Sequence, residues 1–404
     1  MNSQPSSRPG HRGPTRPLFL SLIVLALVML TGRTGAASPT SVYLPLTVGN
    51  RSFGIEPVGR GFYVATAITH AGDERIFVVE RGGRIQILHP DGRETTFLDL
   101  AARVVSSPGE YGLFDLAFHP DYADPASPGH GSFYVSYTGR GQDQIYTYIS
   151  RFHVSADPDT ADPSSETWLL KLPQTQIYHK GGELDFDPRT HDLYAGLGED
   201  THPPNAQLLT TLKGKIIRLA VDDVPPDAAG DATDLVAPEI VALGLRNPWR
   251  FDVDPPSDRI YIGDVGENTW EEVNVLALGD PPSNFGWPCR EGPDAYATFQ
   301  NHPVCLGNPT FTPPVVSLAH TDGHCAVIGG KMFRPPHGRA QFIYSDACSQ
   351  QIFSLVQIDG VWQNTRLGDL ELPGLITTIG EDVDGNLYLG NTASNGPIYR
   401  LILQ

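Results

Sequence analysis

The chain has 404 residues, with 28 lysines and arginines against 46 aspartates and glutamates, a formal net charge of −18. A surface of that sign repels nucleic-acid phosphates and anionic lipid headgroups, which disfavours both as partners. With 42 glycines and 36 prolines, and no apolar stripe of helical period beyond two turns, the composition reads as all-β.

At the N-terminus Arg8, Arg12 and Arg16 precede an uncharged apolar run over residues 18–30, followed by the small residues Gly35, Ala36 and Ala37. The run is short for a membrane span, and the pattern predicts a cleaved secretory signal over residues 1–37. The mature protein is then expected to be secreted, with no membrane segment. Residues 38–54 read as a linker, and residues 55–404 as one folded domain.

The next feature in chain order is a repeat. Short strands with a central aromatic recur as RIFVVE, SFYVSY, DLYAGLG, RIYIGDVG, FIYSDAC and NLYLGN, around Phe77, Tyr134, Tyr194, Tyr261, Tyr344 and Tyr388. After most of them a second strand returns, as in GGRIQIL, GKIIRLA, SQQIFSL and GPIYRLI. Six such units predict a six-bladed β-propeller, because a small sheet cannot bury both faces alone and blades stack radially. A large β-sandwich is the competing architecture. In a propeller the loops at one end of the axis converge, so polar motifs far apart in sequence can share one site.

Several stretches set polar groups beside strand ends. Glu110 lies in GEYGL, His179 in YHKGGEL, and Glu199 in GED after the Tyr194 strand. Arg246 and Asn247 lead the strand PWRF, and an acidic loop runs over residues 264–272. His179 is the candidate general base, since an imidazole titrates near neutrality and can take a hydroxyl proton. Its structural alternative is a histidine bonded to backbone at a strand start. Arg246 and Asn247 offer a fixed cation and an amide, suited to polarising a carbonyl or holding a carboxylate. The 264–272 loop concentrates oxygen donors of the kind calcium takes, but without EF-hand spacing. No phosphate loop, GxSxG elbow or HExxH occurs, which leaves nucleotide and hydrolase chemistry without a handle. The four cysteines, Cys289, Cys305, Cys325 and Cys348, cluster in one region, and in an exported chain they are expected to pair. Three connectivities are open; neighbour pairing would close short loops worth roughly 3 kcal/mol each.

Taken together, EYGLFDLAFHP, HKGGELDF, GKIIRL, GLRNPWRF, GDVGENTWEEVN and NFGWP resemble the glucose/sorbosone dehydrogenase family. These are exported six-bladed propellers of quinoprotein type, with a non-enzymatic hedgehog-interacting branch. The resemblance implies pyrroloquinoline quinone (PQQ) on the propeller axis, held partly through calcium, and an aldose oxidised with transfer to an external electron acceptor. It implies that His179 takes the sugar's proton, oriented by Glu199 where the family usually has an aspartate. Arg246 and Asn247 would contact the reactive quinone carbonyl, and Glu110 would line the pocket. The carbonyls of Gly266 and Glu267 would face a quinone-bound calcium. Glu272, the carbonyl of Phe285 and Asp294 would hold a second, structural calcium.

The chain departs from the family in the residues that hold the quinone carboxylates. A lysine in the fifth repeat and an Arg-x-Arg-Asp before the last Asp-Gly strand are usual; DACSQQIF and LITTIGEDVDGN stand there instead. Tyr178 also replaces the usual Asp or Asn before the histidine. Each lost charge-assisted bond is worth ~1.5–3 kcal/mol. Two readings follow: a PQQ- and calcium-dependent sugar oxidoreductase, or a propeller without cofactor that binds a sugar polymer or a protein. A calcium-dependent lactonase is a third class, without motif support.

Overall fold

The computed structural model describes residues 46–48, 51–307 and 310–403. The expected signal over residues 1–37 lies outside them. Among the described residues no helix is long and apolar enough to cross a membrane.

Six sheets of four or five strands follow one another along the chain, antiparallel except for one short parallel edge pair in the second and one in the third. Their first strands are Ala65–His70, Leu113–Phe118, Gly181–Asp187, Pro248–Asp254, Val327–Phe333 and Ile376–Glu381. Each first strand touches the first strands of the blades before and after it, and the last touches the first, so the six form the inner ring. The fold is a six-bladed β-propeller. Its ring closes where the N-terminal strand Arg51–Tyr63 pairs antiparallel with the C-terminal strand Ser394–Leu403, completing the sixth blade. That strand begins inside the segment read as a linker, and Leu46–Val48 pairs onto it. The reason is topological: pairing the two ends of the chain within one blade closes the ring with backbone hydrogen bonds.

The repeated aromatics all fall on second strands and all face the core. Phe77 is fully buried, as is Tyr344, and Tyr134, Tyr194, Tyr261 and Tyr388 are at most 5% exposed. Each apolar cluster bridges two neighbouring blades. Phe77 and Phe97 of the first blade meet Phe133 and Phe152 of the second; Ile343 and Ile352 of the fifth meet Leu387 and Leu401 of the sixth. A buried aromatic or branched side chain contributes about 1.5–3 kcal/mol, so stability resides in contacts between blades. Two disulfides, Cys289–Cys305 and Cys325–Cys348, close neighbouring pairs.

Candidate functional site

The loops leading into the inner strands of the second, third and fourth blades meet at one end of the axis. They carry Glu110, His179, Arg246 and Asn247. Glu199 comes from the end of the third blade's second strand, Asp192–Leu197.

His179 adopts a left-handed backbone, φ +58°, and the next two glycines continue it at +60° and +115°. A Cβ on Gly182 would lie 2.6 Å from the Phe114 side chain, so the turn requires glycine there. This tight turn directs the imidazole toward Glu199, and Nδ1 is hydrogen-bonded to Glu199 Oε1. Glu199 is buried, and its Oε2 has no hydrogen-bond partner. Glu199 N–H donates to the Arg246 carbonyl at 2.9 Å, tying the dyad to the fourth blade. A Cβ on Gly198 would sit 2.2 Å from the His179 carbonyl oxygen, so the strand end also depends on glycine.

The residues following His179 hold the rest of the constellation. Lys180 N–H donates to Glu110 Oε2 at 3.0 Å, and Gly181 N–H donates to Asn247 Oδ1 at 2.9 Å. Asn247 Nδ2 approaches the same Glu110 carboxylate at 3.4 and 3.5 Å. Below them lies a network that sequence reading did not single out. Asp200 accepts hydrogen bonds from Lys180 and Lys213 ammonium groups and from Thr175, and Asp200 N–H bonds the His179 carbonyl. Burial pushes the Asp200 carboxyl up, but the two lysine hydrogen bonds outweigh it and its pKa lies below the ordinary value. Neutral partners would leave that buried charge uncompensated.

Arg246 and Asn247 are positioned by Asp264, whose oxygens accept both backbone N–H groups at 2.7–3.1 Å. The Arg246 guanidinium bonds Glu267 through Nε at 2.8 Å and through Nη2, and the Val265 carbonyl at 3.0 Å. Burial, then the negative charge of Glu272, raise the Asp264 pKa well above the carboxylate range; burial also pushes Glu272 to about 7.

The acidic loop is built as a set of backbone caps. Glu271 accepts from Gly266 N–H at 3.0 Å, and one oxygen of Glu291 accepts from Glu267, Asn268 and Thr269 N–H at 2.6–3.0 Å. Those bonds turn the Gly266 and Glu267 N–H groups toward acids and their carbonyls away from them. Of the expected structural-calcium donors, the Glu272 carboxylate accepts from Gly292 N–H at 2.6 Å and Asn274 Nδ2 at 3.1 Å. Asp294 is exposed and accepts from the Trp270 indole at 3.0 Å, and Phe285 is buried.

Beside this constellation a cavity of about 280 Å³ opens at the axis. Its wall includes Glu110 and Asn247, with Val64, Trp249, Ile328 and Leu375 among its apolar residues. Trp249 was legible only as part of the GLRNPW motif; its indole is fixed by a 2.8 Å bond to the Thr377 carbonyl. Ala347, within the DACSQQIF stretch, also faces the cavity. Arg81 is the one basic residue in its wall, and it donates to the carbonyls of Tyr111, at 2.9 Å, and Gly109. His179, Glu199 and Arg246 are not part of this wall; they connect to it through Asn247 and Glu110, and His179 Nε2 has no partner among the described residues.

The arrangement pairs a histidine–carboxylate dyad with an amide, a guanidinium and an apolar chamber. It can take a proton from a hydroxyl brought to His179 Nε2.

Comparison with known proteins covers nearly the whole domain. The family described as Glucose / Sorbosone dehydrogenase matches residues 63–400. The HIPL2 protein of Arabidopsis thaliana is 26% identical over 386 residues, covering 75% of this chain; the match takes in 53% of HIPL2, about half its length. Among solved structures, the apo soluble aldose sugar dehydrogenase of Escherichia coli superposes with a TM-score of 0.69 at 22% identity, over 86% of this chain and 99% of that one. The PQQ-bound aldose sugar dehydrogenase of Streptomyces coelicolor gives 0.66 at 21% identity, over 87% and 98%. At those identities the two structures establish the propeller architecture. The span and continuity of the family match do more: the chain belongs to the glucose/sorbosone dehydrogenase family.

Proposed function

We propose that this chain is a secreted sugar dehydrogenase of quinoprotein type, oxidising the hydroxyl of an aldose or related sugar with PQQ and calcium. The observation that carries the reading is the His179–Glu199 dyad, tied through Asn247 and Glu110 to the axial cavity.

His179 keeps Nδ1 on Glu199 and has Nε2 free to take the proton of a sugar hydroxyl. Glu199 fixes the ring and stabilises the imidazolium that results. Lys180, Asp200 and Lys213 keep the turn rigid beneath it. The apolar walls around Trp249 exclude water from the reacting hydroxyl and strengthen the electrostatics inside.

The residues present fit PQQ in part of its outline, and the fit defines what each would do. Arg246 and Asn247 would hold the carbonyl edge, and the apolar walls the rings. Arg81 would be the one cation of the cavity wall that a carboxylate could meet. The carbonyls of Gly266 and Glu267 would hold calcium, and Glu272, the Phe285 carbonyl and Asp294 a second ion. When bound, PQQ supplies a two-electron acceptor for the sugar's hydride, later reoxidised by an external acceptor.

One observation favours the second reading, a propeller that binds a sugar polymer or protein without cofactor. Arg246 is already satisfied by Glu267 and Val265, and the cavity offers a tricarboxylate little positive charge. Sugar-dependent dye reduction after loading with PQQ and calcium separates the two. Turnover that requires both additions supports the dehydrogenase, and binding of sugar without any turnover supports the alternative.

A further inference from the structure

At the opposite end of the blades from His179, a second histidine cluster joins the second and third blades. His119 follows the inner strand Leu113–Phe118, and His191 sits in the turn after the inner strand Gly181–Asp187. Their rings lie edge to face with centroids 4.9 Å apart. Asp222, in the short 3-10 helix Val221–Asp223, reaches both: one oxygen meets His119 Nε2 at 2.9 Å, the other His191 Nδ1 at 2.9 Å. Asp121 completes the group, with Oδ1 3.8 Å from His191 Nε2 and Oδ2 accepting from the Ser127 hydroxyl at 2.7 Å.

The hydrogen bonds fix the protons. His119 Nδ1 accepts the Asp121 backbone N–H at 3.1 Å, so its proton is on Nε2, facing Asp222. His191 Nδ1 is bonded to Asp222, so its Nε2 is turned toward Asp121 Oδ1, which at 3.8 Å is beyond a hydrogen bond. An unprotonated Nε2 and that carboxylate oxygen are two metal-donor atoms aimed at one gap, which an ion can fill. His119, Asp121 and His191 each have one donor atom within 4.8 Å of the others, and no other trio of histidine, cysteine or acidic residues meets that test among the described residues.

The surroundings are shaped for the cluster. A Cβ at Gly129 would lie 2.0 Å from His119 Nδ1, so only glycine lets the ring stand there. His191 is held in a left-handed conformation, φ +58°, which costs a non-glycine residue energy and turns its ring inward. His119 is buried while His191 and Asp121 are half-exposed, which gives an ion a path from solvent.

We propose that His119, Asp121 and His191, with Asp222 as a further oxygen donor, form a binding site for a divalent transition-metal ion of the zinc class. Mixed imidazole and carboxylate donors select such ions over calcium, which prefers oxygen alone. The ion would replace the Nε2 proton of His119 and pin the 120–131 loop of the second blade to the 188–191 turn of the third. The site is independent of the sugar pocket and of any quinone.

The test is calorimetric titration of untagged, chelator-treated protein with zinc chloride, for the wild type, His191→Gln and Asp121→Asn. One zinc per chain at micromolar affinity or tighter is expected, weakened about tenfold or more in each variant. Far-UV circular dichroism should be unchanged in both, and a millimolar excess of calcium should not displace the zinc. No zinc uptake by the wild type, wild-type affinity in both variants, or displacement by calcium would each overturn the proposal.

Discussion

His179 and Glu199 are 20 residues apart and are joined through imidazole Nδ1 and carboxylate Oε1 across the mouth of the third blade. The bond depends on a left-handed histidine before two left-handed glycines, and on a glycine immediately before the glutamate. Glu199→Gln keeps the volume and removes the charge that stabilises an imidazolium. Sugar-dependent kcat should fall about 10²-fold or more, with KM little changed, while Glu199→Asp retains most of the rate. Steady-state dye reduction with loaded enzyme measures both; equal losses in the two variants would refute the role of the charge.

Gly198→Ala tests the same geometry through the backbone. The new methyl would collide with the His179 carbonyl at 2.2 Å and Asn247 Oδ1 at 2.8 Å. Overpacking of this kind costs about 1–3 kcal/mol, so urea denaturation should show a loss of that size. Activity should fall further than stability, because the displaced atoms belong to His179 and Asn247.

The missing cation can be restored. Ala347 is buried, faces the axial cavity, and lies in the stretch where the family usually has lysine. Ala347→Lys should tighten PQQ binding by about tenfold to a hundredfold, the worth of one charge-assisted hydrogen bond. Calorimetry on both proteins measures it, and unchanged affinity would show that carboxylate anchoring is not the limiting interaction.

Much of this was legible in the sequence because it is periodic. Phe77, Tyr134, Tyr194, Tyr261, Tyr344 and Tyr388 recur one per blade, since each blade must fill the same gap against its neighbour. The His179, Glu199 and Arg246 stretches stood out because charged groups flanked by glycine at strand ends have few structural reasons to exist. What the sequence concealed is partnership. Asp264 and Glu271 read as oxygen donors for an ion, but they cap backbone N–H groups, as any buried acid near a turn can do. Asp200, Lys180 and Lys213 are not adjacent in sequence, and nothing local marks their convergence. The closing strand Arg51–Tyr63 was invisible because its partner is at the other end of the chain. The family resemblance, in turn, carried the PQQ and calcium readings, which no residue pattern would have supplied alone.

A pH prediction comes from the other end of the axis. Lys331 lies 3.1 Å from Asp252 and 3.4 Å from Asp185, in a group of buried acids that outnumber it. Burial, then the charge of Asp252, push the Glu381 pKa to about 7 from its ordinary 4.5, and burial pushes Asp252 to about 6. Because folding raises these values, both groups favour the folded state at low pH and lose that contribution as pH rises through about 6 to 7. Glu381→Gln should therefore raise Tm at pH 8 by ~2–4 °C, with the gain vanishing near pH 5. Calorimetric scans at several pH values check this; a gain that persists at pH 5 would contradict it.

Titration of metal-free protein with PQQ in the presence of calcium, with aldose-dependent dye reduction measured on the wild type and His179→Ala, decides whether the dyad serves a quinone-dependent dehydrogenase. Both proteins should bind PQQ saturably, and the turnover of the wild type should fall about 10³-fold or more in the variant. Absence of binding at tens of micromolar PQQ, or equal turnover in the two proteins, would contradict that role.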